Sequence, residues 1–144
     1  EVGTKAGLAE AMILRELERF MTVVDAAFDA HPDDLVAAIR ASSEMVLVHA
    51  RDNLLLKAVV SATHGADTEL LPLLTTHAGS LLSTAKEVIG ARVEPFEHGL
   101  APEQTEAMID MVVRVVLSHV MQPSGSPQAT AEDVAFVASR VIGG

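Results

Sequence analysis

The 144-residue sequence contains no cysteine, tryptophan or tyrosine, and only four phenylalanines. The absence of cysteine excludes disulfide bonds, cysteine-ligated zinc and cysteine nucleophiles, although it says little about the cellular compartment. With so few aromatic side chains, the core must be built from Ala, Val, Leu, Ile and the six methionines. An aliphatic composition rich in alanine favours helices over a β-sandwich.

Basic residues are scarce, because 10 Lys and Arg stand against 20 Asp and Glu, for a net charge of −10. Nucleic-acid binding depends on Lys and Arg opposite phosphates, so we expect that this chain alone binds neither DNA nor an anionic membrane surface. The sequence also lacks an uncharged apolar run of about 18 to 20 residues and a basic segment followed by an apolar one. We therefore expect a soluble, cytoplasmic protein with no membrane partner.

Recognisable catalytic motifs are missing as well. The sequence contains no P-loop, no G-x-G-x-x-G, no H-E-x-x-H and no G-x-S-x-G. None of the six histidines has a second histidine three or four positions away. Glu94 and His98 have helical i,i+4 spacing, but Pro95 interrupts the helix between them. We predict no catalytic residues, no metal site and no cofactor.

Apolar residues at helical spacing predict an all-α fold. Thr4 can cap a first helix that extends to about Ala30. A second helix is predicted from Pro32 to about Arg51, since proline fits the first position of a helix. The run Met45–Val48 is apolar nearly all round, which indicates a central, mostly buried helix. A short buried strand is the alternative interpretation of that run.

The second half of the chain continues the helical pattern. Shorter helical pieces are expected over residues 52–75, and a longer helix from about 76 to the break at 95–99. A strongly amphipathic helix is predicted over 101–121, followed by a Pro/Gly-rich loop over 122–129. Thr130 resembles the N-cap of the last helix. Together these segments predict about six helices in a single domain covering residues 1–144.

The helix over 101–121 has an apolar face that is too wide for one neighbouring helix. Asp110 and Arg114 form a favourable i,i+4 pair on its polar edge. Met108 and Met111 have two interpretations, plain core or the flexible lining of an adaptable pocket. We expect that this helix contacts both its own core and a second surface.

His49 lies on the second helix among apolar neighbours. It is either a core histidine with a hydrogen-bond partner or a polar anchor in an otherwise apolar ligand cavity. Ser42 and Ser43, one to two turns earlier, have the same two interpretations. His119 on the helix over 101–121 is expected either at a subunit contact or exposed near the helix C-terminus, where positive charge is favourable.

Three segments resemble the C-terminal region of TetR-family transcriptional repressors. Val2–Leu8 is similar to the family's junction after the recognition helix, which has Ser or Thr and then Lys before a leucine. Arg114 and Ser118 match an Arg-x-x-x-Ser pattern on the family's penultimate, dimer-forming helix. A Pro/Gly loop and a capped helix from Thr130 close the domain in the same way.

The resemblance implies a TetR C-terminal-like bundle that pairs into a homodimer, with the last two long helices of two copies forming a four-helix bundle. The interface residues that it implies are Arg114, Ser118, His119, Met121, Val134, Val137 and Arg140. Residues 1–7 would join a helix-turn-helix domain that precedes this chain, and operator DNA would be contacted through that domain. Lys5 is expected to touch a phosphate.

The same resemblance implies a ligand-responsive regulator rather than an enzyme. A small apolar effector would enter between the helices and shift the first helix, so that two recognition helices lose the spacing of about 34 Å between successive major grooves. The predicted cavity-lining residues are Phe20, Val24, Val46, His49, Leu81, Ala85, Met108, Met111 and Val115.

Two other classes of function compete with this interpretation. A stand-alone helical carrier of an apolar small molecule would need neither a dimer nor a DNA-binding domain. A helical-bundle enzyme would need acids or histidines clustered in the interior. The start at Glu1 rather than Met suggests that sequence is missing before it, with a trimmed but complete domain as the alternative.

Overall fold

The computed structural model describes residues 5–53 and 83–143, and these residues form helices joined by short turns, with no β-strand among them. The helices are α1 (Lys5–Ala30), α2 (Leu35–Arg51), α3 (described over 83–93), α4 (Pro102–Met121) and α5 (Pro127–Gly143). The all-α prediction is confirmed. The described residues contain five helices rather than about six, and the short helices predicted over 52–75 lie almost entirely outside them. None of these helices is long and apolar enough to cross a membrane.

The turn between α1 and α2 sets the first two helices side by side. α1 ends at Ala30 as predicted, and α2 begins at Leu35, three residues later than predicted. The reason is the capping residue: Asp34 has extended backbone, and its carboxylate accepts a hydrogen bond from the Ala37 amide at 3.0 Å. Pro32 therefore lies in the turn and not in the first turn of α2.

The last helix begins earlier than its sequence suggested. α5 starts at Pro127, so the prediction of Thr130 as its N-cap is wrong. The Ser126 hydroxyl accepts a hydrogen bond from the Ala129 amide at 3.1 Å, and proline is well suited to the first helical position. Thr130 is 5% exposed and lies inside the first turns of α5. α4, in contrast, has the predicted bounds to within one residue.

α2 lies at the centre of the bundle and packs against α1, α4 and α5. The prediction of a central helix is therefore confirmed, although Met45 and Val48 of the apolar run are 41% and 38% exposed. Ala38 and Ala138, which are 0% and 1% exposed, let α2 and α5 approach closely. The core side chains that surround them include Val24, Phe28, Leu35, Ile39, Leu47, Met108, Val113 and Val134.

Two ion pairs attach α3 to its neighbours. The Arg92 guanidinium contacts the carboxylates of Asp25 and Asp29 on α1 and lies 5.8 Å from the centre of the Phe28 ring. Lys86 lies 3.1 Å from the Asp110 carboxylate on α4. α3 thus connects the C-terminal half of α1 with the middle of α4.

Candidate functional site

A buried carboxylate on α1 is the centre of a polar cluster. The side chain of Glu16 is 10% exposed, and its Oε1 lies 3.0 Å from His49 Nε2 on α2. The same oxygen accepts a hydrogen bond from the Asn53 side-chain amide, and Oε2 accepts one from Arg19 at 3.2 Å. Because an ionised carboxylate can only accept, Nε2 of His49 carries the hydrogen in this contact.

An aromatic contact completes this cluster. The Phe20 ring meets the His49 ring edge-on, with centroids 4.6 Å apart and an interplanar angle of 89°. Glu16 and Phe20 are one turn apart on α1, and His49 and Asn53 have the same four-residue separation at the end of α2. Two pairs at i,i+4 spacing on facing helices therefore build the site. We call Glu16, Phe20, His49 and Asn53 the α1–α2 cluster.

The chemistry of the α1–α2 cluster suits positioning and recognition. Both oxygens of Glu16 already accept hydrogen bonds, so the carboxylate is not poised as a free base. Among the described residues, no three acidic or histidine side chains come close enough together to hold a metal ion. In the same part of the chain no buried side-chain nitrogen or oxygen lacks a hydrogen-bond partner. A satisfied polar cluster of this kind fixes two helices relative to each other.

Several predicted cavity residues lie in the interior. Val24, Ala85 and Met108 are 3%, 8% and 6% exposed and belong to one continuous core. Val46 is half-buried and packs against that core. Leu81 lies outside the described residues. Together with Phe20 and His49, the four described residues follow the inner faces of α1, α2, α3 and α4.

Two predicted cavity residues lie elsewhere. Met111 and Val115 are 65% and 42% exposed on the outer side of α4. The buried residues of α4 include Met108 and Val113, which occupy the side that packs on α2. The structure therefore removes Met111 and Val115 from the cavity and places them beside the residues predicted for the dimer interface.

Most residues predicted for the interface are on the surface. Arg114, Ser118, Met121, Val137 and Arg140 are all exposed. The predicted pair of Arg114 with Asp110 is present, with Nε 3.0 Å from Oδ2.

Two residues predicted for the interface are engaged within the chain. Val134 is 5% exposed in the core, so the structure does not support its place in an interface. The His119 ring lies 2.9 Å from the Val115 carbonyl oxygen and 3.1 Å from the Ser124 hydroxyl, at the end of α4. Lys5 is the first residue of α1, and its contact with a phosphate stays a prediction.

Sequence reasoning missed three exposed apolar residues near this surface and one buried acid. Leu117, Phe136 and Val141 are 46%, 59% and 39% exposed. The spacing of Phe136 and Val141 from Val137 and Arg140 is the signal that assigns them to one face of α5. Glu16 carries no local signal, because the residues that hold it are 33 and 37 positions away.

A groove of about 500 Å³ lies between the end of α3, the connection over 94–101 and the start of α4. None of the predicted cavity residues lines it. It contains apolar, acidic and basic side chains and shares no residue with the α1–α2 cluster.

Comparison with known proteins identifies the family. Residues 34–140, about three quarters of the chain, match the family model described as the bacterial tetracyclin repressor, C-terminal domain. No curated protein and no solved structure shows a significant match to the chain. The matched region runs from the N-cap of α2 to near the end of α5, and with the all-helical fold it shows that the chain belongs to the TetR-family C-terminal domains, the ligand-binding regulatory part of these regulators.

Proposed function

We propose that this chain is the effector-binding and dimerisation domain of a cytoplasmic, ligand-responsive transcriptional repressor. The observation that carries the proposal is the family match over residues 34–140, because it covers the helices that form the core and the exposed apolar surface. Operator DNA is contacted, in this proposal, by a helix-turn-helix domain preceding Glu1. The chain itself, with a net charge of −10, contributes no general attraction for phosphate.

The exposed faces of α4 and α5 support a homodimer. Met111, Val115 and Ser118 follow one another at helical spacing on α4, flanked by Arg114 and Met121. A second stripe on α5 consists of Phe136, Val137, Arg140 and Val141. We call these two stripes the α4–α5 face.

Single exposed apolar side chains are common on protein surfaces, but two stripes on helices that touch each other are typical of an interaction site. Two copies related by a two-fold axis would bury the same face of each and form a four-helix bundle.

The α1–α2 cluster supports a route from effector to DNA. α1 would connect the cavity with the DNA-binding domain, and Glu16 and His49 hold the first half of α1 to the end of α2. A ligand that contacts His49 from the cavity side would compete with Glu16 for this side chain and change the position of α1. Such a ligand changes the DNA-binding equilibrium only if it binds the two states with different affinities.

Native mass spectrometry of the chain tests the proposal directly. We expect a dimer at 30.4 kDa, which is 2 × 15.2 kDa, with an additional small mass where an apolar compound has copurified. A strict monomer at concentrations of tens of micromolar would contradict the dimer and, with it, control of paired recognition helices.

A further inference from the structure

The groove at the end of α3 has an apolar floor. Ile109 of α4, which is 6% exposed, lines it together with the half-buried Phe96 and Leu100 of the connection. Its volume of about 500 Å³ lies within the range of small-molecule sites in proteins. The groove is built by described residues alone, so its shape does not depend on the segment 54–82.

A glycine keeps the middle of this groove open. Lys86, Gly90 and Glu94 stand one turn apart and form the α3 wall. A Cβ atom added at Gly90 would meet only Ile109 Cδ1, at an ordinary contact distance of 4.0 Å. Glycine weakens a helix relative to alanine, and neither close packing nor a positive φ requires it at this position. Its consequence is open space between Lys86 and Glu94.

The rim of the groove is acidic. Glu94, Glu97 and Glu106 line it, and within residues 5–53 and 83–143 none of these carboxylates forms an ion pair. The one lysine of the rim, Lys86, is already paired with Asp110 at 3.1 Å. His98 Nδ1 accepts a hydrogen bond from the Leu100 amide, which leaves its other nitrogen as the hydrogen-bearing one in the neutral ring.

We propose that this groove binds a small organic cation with an apolar body. The body would lie on Ile109, Phe96 and Leu100 in the space opposite Gly90, and the charge would lie among the three rim carboxylates. These carboxylates are exposed, so each contributes modestly, but together they favour a cation and repel an anion of equal shape. The site is separate from the α1–α2 cluster and goes beyond the proposed effector cavity.

Tetraphenylphosphonium and tetraphenylborate provide a matched pair of probes, because they have nearly the same shape and opposite charge. Isothermal titration calorimetry of the 144-residue chain in sodium buffer would measure both dissociation constants. We expect tetraphenylphosphonium to bind at least about tenfold more tightly, from three exposed charge contacts. Equal affinities would mean adsorption to apolar surface and would overturn the proposal.

Two substitutions locate the binding site. Gly90→Leu fills the middle of the groove and should weaken tetraphenylphosphonium binding at least about tenfold, since it removes the apolar contact area. Glu106→Gln should weaken it by about threefold. Glu103→Gln is the matched control, because Glu103 is exposed on the first turn of the same helix and does not line the groove. If Glu103→Gln weakens binding as much as Glu106→Gln does, only the net charge matters and the groove is not the site.

Backbone amide spectra keep the test decisive even if Gly90→Leu does not fold. Gly90 and Gly99 line the groove, whereas Gly125 and Gly143 lie at other places in the described structure. Titration of tetraphenylphosphonium into the unsubstituted chain should shift the Gly90 and Gly99 signals and leave those of Gly125 and Gly143 in place. Shifts confined to the other glycines would place the cation elsewhere and refute the assignment.

Discussion

At the scale of single residues, the contrast between Glu16 and Glu18 shows how position on a helix decides the role of a side chain. Both acids lie on α1, but the Glu16 side chain is 10% exposed and holds His49 and Asn53, whereas Glu18 is exposed. A rotation of about 200° around the helix separates two residues that are two positions apart. This rotation turns Glu16 toward α2 and Glu18 toward solvent.

Replacement of Glu16 should cost stability that replacement of Glu18 does not. Glu16→Ala removes the acceptor for the His49 and Asn53 donors, and we expect the free energy of unfolding to fall by about 1 to 3 kcal/mol. Glu18→Ala should change it by less than about 0.5 kcal/mol, as for most surface positions. Urea unfolding followed by circular dichroism measures both. Equal, small effects would mean that the α1–α2 cluster does not hold the helices together.

His49 is expected to couple the effector to DNA release. In the regulator with its DNA-binding domain, His49→Ala should weaken the release of operator DNA by the compound that native mass spectrometry finds bound, and it should leave the dimer mass unchanged. The reason is that α1 loses its link to the cavity through Glu16. A gel-shift titration measures the release, with His31→Ala in the α1–α2 turn as the control. An unchanged response would restrict His49 to packing between the two helices.

These two residues also show what local sequence can reveal about a site. His49 was recognisable because it interrupts an apolar helical pattern between Val46 and Ala50. The sequence around Glu16 is ordinary for an exposed helix, and its partners are distant in the chain. Spacing along one helix cannot predict a contact that depends on how two helices are placed against each other.

At the scale of helices, periodicity predicted α1 and α4 nearly to the residue, but two starting points were wrong. At the beginning of α2, Pro32 and Asp34 both offer a start, and the Asp34 carboxylate forms the capping hydrogen bond. At the beginning of α5, Ser126 and Thr130 compete in the same way. Burial decides there, because Thr130 is part of the core and the helix must begin a turn earlier. Capping signals are local, and the choice between two of them depends on the core.

The contact between α3 and α4 should be visible in the pH dependence of stability. Hydrogen bonds from Lys86 first, and then from Arg114, lower the pKa of Asp110 below its usual value. A carboxyl with a lower pKa in the folded state contributes stability above its unfolded pKa of about 3.9. That contribution is lost as the pH falls through the lower folded value.

We therefore expect Asp110→Asn to be less stable than the unsubstituted protein at pH 6, with a difference that shrinks as the pH falls below about 4. Urea unfolding at a series of pH values between these conditions measures the difference. Lys86→Met provides the control, since it removes the largest cause of the lowered pKa, and the pH-dependent part should decrease in that background. A difference that stays constant across the series would show that Asp110 acts only through packing.

At the scale of the whole molecule, the sequence predicted that α4 has two apolar faces but did not tell which face is buried in the monomer. Met108 and Met111 are three positions apart and equally apolar, yet one is 6% and the other 65% exposed. The difference depends on where α2 and α5 lie around α4, and this arrangement is a property of the packed bundle. The assignment of Met111 and Val115 to the cavity failed for this reason, while the prediction of a second contacting surface remained.

A charge placed in the α4–α5 face should separate the proposed dimer. Val137 is 59% exposed in the single chain, so Val137→Asp leaves the core intact, but in a dimer the new carboxylate would be buried opposite apolar side chains. Leaving a charge unpaired in such an interface costs about 2 to 5 kcal/mol, which weakens association by about 30-fold or more. Gel filtration with light scattering at about micromolar concentration should show the monomer for this variant.

Gln128→Asp is the control for this prediction, because it adds the same charge to an exposed position of α5 that lies outside the stripe. It should stay dimeric at every concentration at which the unsubstituted chain is dimeric. If Val137→Asp remains a dimer while its helix content and unfolding are unchanged, the contact between copies must use another surface. If both variants dissociate, the added negative charge on a chain of net charge −10 is the cause, and the α4–α5 face is not specifically involved.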